Sequence, residues 1–176
     1  MADLHPDNPY AKDRFPDPTK TVEFPPEAKA RFDYILTRYP NKEAALLPTL
    51  HLAQEVWGWI SPEAVHYIGG LLDLSPATVF GVVSFYNMYN QKPVGKYHVE
   101  VCTNLSCMIS RSYDIYEGLC DKLEIKPGET TPDGRITVTE VECLGSCGTA
   151  PVVKVNNDYH ESMSVEKMET LLEKLK

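Results

Sequence analysis

The apolar positions of this chain change period once along its length. Up to Phe85 they recur at three- and four-residue spacing, and from Lys96 runs of strict alternation appear between helical stretches. Pro25-Pro26-Glu27 opens the first predicted helix, with proline tolerated in the first turn. Phe32, Ile35, Leu36 and Tyr39 form its apolar face, and Pro40 stops it. A second helix is predicted from Lys42 to Trp57, with Leu46, Leu50, Ala53 and Trp57 on one face and Gly58 at its end. Pro48 lies inside that run. Interior proline costs about 3 kcal/mol, so it must kink the helix or move its start. Ser61-Pro62-Glu63 reads as a capped start, with hydroxyl, N1 proline and first-turn acid in order, and Val65, Ile68 and Leu72 follow. Ser75-Pro76 repeats that start ahead of Val79, Val82 and Val83. Four short helices with short links describe a small bundle. Phe85-Tyr86-Asn87-Met88-Tyr89 closes it and is expected to supply core aromatics joining two lobes.

Lys92-Pro93-Val94-Gly95 reads as a linker or turn. Strands are predicted over Lys96–Val101 and Arg135–Glu142, with a helix over Ser110–Leu123 that buries Tyr116, Leu119 and Leu123. Pro127-Gly128 and Pro132-Asp133-Gly134 are turns. Pro151–Val155 and Tyr159-His160 flank Asn156-Asn157-Asp158, a hairpin by turn chemistry. Ser164 caps a last helix with Met168, Leu171, Leu172 and Leu175 inward. The expected class is α+β: a helical bundle over residues 24–94 and a compact α/β layer over 95–176. Residues 1–23 hold four of the fourteen prolines and few apolar side chains, so an extended, mobile arm is expected there. Asp3, Asp7, Asp13 and Asp17 are the opposite of a transit-peptide composition.

Composition narrows the function classes. With 43% hydrophobic and 24% charged residues, the chain is ordinary for a globular protein. A net charge of −8 argues against non-specific nucleic-acid binding but leaves docking on a basic protein face open. No apolar run approaches the ~20 residues that span a bilayer, so no direct membrane insertion is expected. Neither G-x-G-x-x-G nor a P-loop is present, so no nucleotide site is expected on this chain. His51 and His66 fall in predicted helices without any H-x3-H or H-E-x-x-H pattern and read as ordinary helix residues. Five cysteines without a visible secretory signal suggest a reducing compartment, where thiols are free for metal.

Four of those cysteines come in pairs at strand ends. Cys102 and Cys107 follow the alternating run Tyr97, Val99, Val101; Cys143 and Cys147 follow Ile136 and Val138. Converging in one fold, the two pairs would make a four-thiolate site. Zinc ribbons usually show two-residue gaps, shorter than either gap here. A thioredoxin-type redox centre needs C-x-x-C, which is absent. Iron–sulfur clusters take four thiolates, and C-x4-C is a known opening spacing, although the plant-type pattern then continues at once with C-x2-C. The spacing leaves cluster and zinc both open. Gly145 and Gly148 suit close backbone approach and positive φ beside sulfurs that accept N–H bonds. Cys120, unpaired, falls on the buried side of its predicted helix and reads as a small hydrophobe.

Val101-Cys102-Thr-Asn-Leu-Ser-Cys107 and Cys143-Leu-Gly-Ser-Cys147-Gly-Thr-Ala-Pro151 together resemble the thioredoxin-like 2Fe–2S family of respiratory complex I, the E-type component of NADH:quinone oxidoreductase. The resemblance includes Gly81–Tyr89, Pro127–Gly134 and Val155–Tyr159, and runs from about Val22 to Lys176. It implies a thioredoxin-like α/β domain over 95–176 that carries one 2Fe–2S cluster on Cys102, Cys107, Cys143 and Cys147. It implies a low-potential one-electron carrier without substrate catalysis of its own, a subunit of an oxidoreductase complex. FMN and NADH would sit on a flavin- and NADH-binding partner subunit, with further peripheral-arm subunits nearby. The location implied is cytoplasmic, peripheral to the inner membrane through the complex. NAD-linked hydrogenases and formate dehydrogenases share these motifs, so they remain alternative hosts, and a four-Cys zinc module that binds partners is the alternative of a different class.

Overall fold

The computed structural model describes residues 20–175. The arm expected over 1–23 lies almost wholly outside them. Among the described residues the chain falls into two compact units, one ending at Pro93 and the other beginning at Val94.

The first unit is four helices: α1 (Pro26–Arg38), α2 (Leu46–Trp57), α3 (Pro62–Leu72) and α4 (Pro76–Phe85). Pro48 has moved the start of α2. A 3-10 turn, Glu43–Ala45, precedes it, and the proline sits in the first turn, where a missing N–H removes no helical bond. Gly58 ends α2 with φ +79°. Ser61 and Ser75 cap α3 and α4, each accepting from the N–H three residues on at 3.1 Å. The helices bury Phe32, Leu50, Ile68, Leu72, Val79 and Val83 around one core. Phe24 stacks on Trp57 with ring centroids 5.0 Å apart.

Two expectations fail in this unit. Tyr39 lies beyond the end of α1, in extended backbone ahead of Pro40, and is exposed. The aromatic run that begins at the end of α4 splits: Tyr89 is buried and donates its hydroxyl to the Leu47 carbonyl at 2.9 Å, whereas Phe85, the last residue of α4, is 79% exposed and Tyr86 partly so. Gln54 on α2 holds this segment through the Met88 carbonyl and the Asn90 N–H, which turns Phe85 outward at the helix end while Tyr89 fills the core.

The second unit is a four-stranded sheet with helices on it: β1 (Tyr97–Cys102), α5 (Leu105–Ile109), α6 (Ser112–Leu123), β2 (Ile136–Val141), β3 (Val153–Val155), β4 (Asp158–His160) and α7 (Val165–Leu172). The strand order is β2-β1-β3-β4; β1 and β2 run parallel, the other pairs antiparallel. Val138, Val99 and Val155 stand in register across three strands, and with Val101, Ile136 and Val153 they meet Ile115, Leu119 and Cys120 of α6 and Met168 of α7. Helix α5 forms where the sequence predicts none, and α6 begins at Ser112 rather than Ser110. Leu175 is buried as expected, but it lies past the end of α7.

Among the described residues no single helix is long and apolar enough to cross a membrane. Helices α3 and α4 together have the length and composition, but they meet at 120°, and their apolar side chains Val65, Ile68, Leu72, Val79 and Val83 fill the core of their own unit.

Candidate metal centre

Parallel pairing decides where the cysteines go. Two parallel neighbours end at the same edge of a sheet, so the loops that leave them start side by side. Cys102 is the last residue of β1 and stands opposite Val141, the last residue of β2, two residues before Cys143. Two side-chain bonds fasten the loops together: Thr103 donates to Glu140 at 2.6 Å, and Asn104 donates through Nδ2 to Glu142 at 2.7 Å. Asn104 also caps α5, accepting from the Leu105 N–H at 2.8 Å, and this short helix carries Cys107. The second loop ends in a 3-10 turn, Cys147–Thr149, which packs against α5. Motifs more than thirty residues apart in sequence thus share one end of the sheet.

The four thiols occupy two environments. Cys102 and Cys107 are buried in a small apolar cluster with Val152, with Leu144 and Ala150 packed against it. Cys143 and Cys147 are exposed, with their sulfurs 3.3 Å apart. Burial and a hydrogen bond with Cys102 push the Cys107 thiol up to about 11, although a Val152 backbone N–H opposes the rise; the charges of Cys102 and Cys147 add to it. The Gly145 N–H, 3.4 Å from Cys143 Sγ, holds that thiol below its ordinary value, with the Cys147 sulfur assisting. Cys147 is raised, first by sharing a hydrogen bond with Cys143 and then by its charge; the Ser106 hydroxyl, from the first loop, pulls the other way. Each pair therefore feels the other.

Gly145 has φ +84°, a left-handed conformation that directs its N–H to sulfur and favours glycine. Gly148 does not share that constraint: its φ is not left-handed, and a Cβ there would meet no protein atom within 4 Å. All five cysteines are free thiols, and Cys120 is apart from the other four, in the α6 core. His51 and His66 are exposed on their helices. Among the described residues no three His, Cys, Asp or Glu side chains gather closely enough to hold one metal ion. The donors are all sulfur and are arranged two by two. Soft thiolates select zinc, Cu(I) or iron–sulfur clusters, and the arrangement in two pairs suits a cluster of two irons, since each iron takes two thiolates.

One contact escaped sequence reasoning. Glu161 accepts a hydrogen bond from Ser146, which lies between the two exposed thiols. Nothing in the spacing signals it, because the carboxylate comes from the far side of the β3–β4 hairpin.

Comparison with known proteins supplies the family. The sequence signature of the thioredoxin-like [2Fe-2S] ferredoxins matches residues 32–176. The E subunit of the NADH-quinone oxidoreductase of Rickettsia bellii (strain RML369-C) is 42% identical over 145 residues, covering 81% of this chain and 87% of the relative. NADH-quinone oxidoreductase subunit 2 of Thermus thermophilus is 44% identical over 138 residues, 77% of this chain and 76% of that one. Among solved structures, an NAD+-reducing [NiFe]-hydrogenase in the air-oxidized state superimposes with a TM-score of 0.64 at 24% identity. That match covers 74% of this chain but 22% of the hydrogenase chain, and it speaks to fold alone.

Proposed function

The chain belongs to the thioredoxin-like [2Fe-2S] ferredoxin family, and on that premise we propose that Cys102, Cys107, Cys143 and Cys147 hold one [2Fe-2S] cluster and make it a one-electron carrier in a larger NADH-oxidising complex. The observation that carries this reading is the parallel β1–β2 pair, which delivers both cysteine pairs to one end of the sheet. A binuclear cluster takes two thiolates on each iron, so two pairs suit it better than one convergent group. Bound there, the cluster supplies one-electron redox chemistry. The protein's own part is to present four sulfurs, to donate the Gly145 N–H toward Cys143, and to keep one thiol pair dry behind Val152 while the other faces outward. Four thiolates give the site net negative charge, and that favours a low potential.

The relatives over most of this chain's length are named as subunits of NADH-quinone oxidoreductase, which favours that host over a hydrogenase or a formate dehydrogenase. In this reading FMN and NADH belong to a partner subunit, hydride chemistry happens there, and this chain exchanges single electrons with the flavin. Residues 95–176 carry the cluster, and the complex holds the chain on the cytoplasmic side, peripheral to the inner membrane. Leu105, Met108 and Ile109 on α5 support a protein neighbour at this end of the sheet, since they leave apolar side chains exposed around Cys107.

Anaerobic mixing tests the assignment of roles. The isolated chain should leave NADH unoxidised. With the purified flavin-bearing subunit present, NADH should bleach part of its visible absorbance, and dithionite should bleach more. NADH oxidation by the chain alone, free of flavin, would overturn the division of labour.

A further inference from the structure

The loop between the exposed thiols is fastened at its middle by a residue from elsewhere in the fold. Ser146 donates its hydroxyl to Glu161 Oε1, and its Oγ lies 3.1 Å from Thr149 Oγ1. The Thr149 hydroxyl is also within 3.1 Å of the Ser146 carbonyl, which accepts the Thr149 N–H at 3.1 Å. Glu161 does not reach this loop as a free side chain from a distant surface. The backbone that follows it is tied to the same turn: the Ser162 N–H donates to the Thr149 carbonyl at 2.7 Å and the Met163 N–H to the Pro151 carbonyl at 3.0 Å. Ser162 in turn has φ +48°, and Lys167 donates to its carbonyl at 2.7 Å. An exposed hydrogen bond usually contributes little because both partners must be ordered to make it. Here the ordering is already done by the backbone bonds.

We propose that Glu161 is a positioning residue for the Cys143–Cys147 pair, acting through Ser146. By holding Ser146 it fixes the adjoining turn at Gly145, and that turn aims the Gly145 N–H at Cys143 Sγ. The inference rests on the ligand assignment proposed above. Hydrogen bonds to cluster sulfurs tune potential and electronic structure, so slackening this turn should register in the cluster's spectrum. What matters is a hydrogen-bond acceptor at position 161. Glutamine can replace glutamate there, because its carbonyl still accepts from Ser146.

The test uses the full chain in its iron-loaded form, as wild type, Ser146→Ala, Glu161→Ala, Glu161→Gln and the Ser146→Ala/Glu161→Ala double variant. Electron paramagnetic resonance of the dithionite-reduced protein and the rate of iron release to a chelator are measured beside the thermal unfolding midpoint. Both alanine variants should broaden and shift the resonance and release iron about threefold faster, the net size of one ordinary hydrogen bond. The unfolding midpoint should stay near wild type. The double variant should match Glu161→Ala, which also gives up the Thr149 hydroxyl's approach to the carboxylate, and Glu161→Gln should match wild type. Unchanged spectra and release rates in both alanine variants, additive effects in the double variant, or a glutamine variant as impaired as alanine would each overturn the role of Glu161. A wild-type chain without an iron–sulfur signal would instead overturn the ligand assignment, and this role with it.

Discussion

Cys120 and Cys147 separate packing from ligation within one residue type. Cys120 sits on α6 beside Tyr116, in the core under the sheet, and burial pushes its thiol above the ordinary value, with the Asp121 charge adding. Cys120→Ser should keep the visible spectrum and lose about 1–3 kcal/mol of stability, the cost of a buried hydroxyl without a partner. Cys147→Ser should abolish or shift the spectrum instead, because serine oxygen is a harder ligand than thiolate. Anaerobic reconstitution of both variants decides it; a changed cluster in Cys120→Ser with an intact one in Cys147→Ser would reverse the assignment. His98 offers a second residue-scale check. Burial holds its imidazole below the ordinary 6.5. Glu100 opposes that shift and Lys154 supports it, while the ring bonds Thr139 at 2.8 Å. Below 6.5 the unfolded chain binds the proton first, so the stability His98 contributes is full above that pH and is lost as pH falls toward the lower folded value. Measured by unfolding midpoints, wild type should lose stability relative to His98→Gln as pH drops from about 7 through this window. A constant difference between the two would refute it. Which cysteines pair off, and which one packs, was legible in the spacing. That Phe85 turns outward while Tyr89 turns inward was not, because it depends on Gln54, more than thirty residues away.

At the scale of elements, the capped starts were plain because Ser61 and Ser75 each combine a hydroxyl with a following proline, and both caps form. Pro48 announced a shifted boundary, and the 3-10 turn before α2 is how the chain accommodates it. Helix α5 was hidden: five residues are too few to show a period, and its sequence reads first as a cysteine motif. Gly95, read as a linker residue, has a tighter duty. A Cβ there would lie 2.8 Å from the Arg135 carbonyl carbon and oxygen, and its N–H donates to Thr137 at 2.7 Å. These are backbone neighbours that cannot rotate away, at the point where β1 and β2 begin to pair. Gly95→Ala should therefore cost about 1–3 kcal/mol, read as a lower denaturant midpoint. An unchanged midpoint would mean that the start of the parallel pair can shift without loss.

Across the whole molecule, class and order of elements followed from periodicity, but the meeting of the two cysteine pairs did not. Spacing says that two pairs follow two strands; only the parallel β1–β2 register says that both strands end at the same edge. Spacing also left zinc and iron in balance, since the C-x4-C and C-x3-C gaps suit neither metal uniquely. The family signature over 32–176 and the relatives at 42% and 44% identity are what tip it to a [2Fe-2S] protein. In this reading Cys102, Cys107, Cys143 and Cys147 hold two irons as a one-electron centre. Iron, acid-labile sulfide and zinc analysis of the anaerobically purified chain, with electron paramagnetic resonance after reduction, tests it most directly. We expect about two irons and two sulfides per chain, a brown-red protein, and a signal from one unpaired electron that appears only on reduction. Stoichiometric zinc in a colourless protein with no such signal would contradict it.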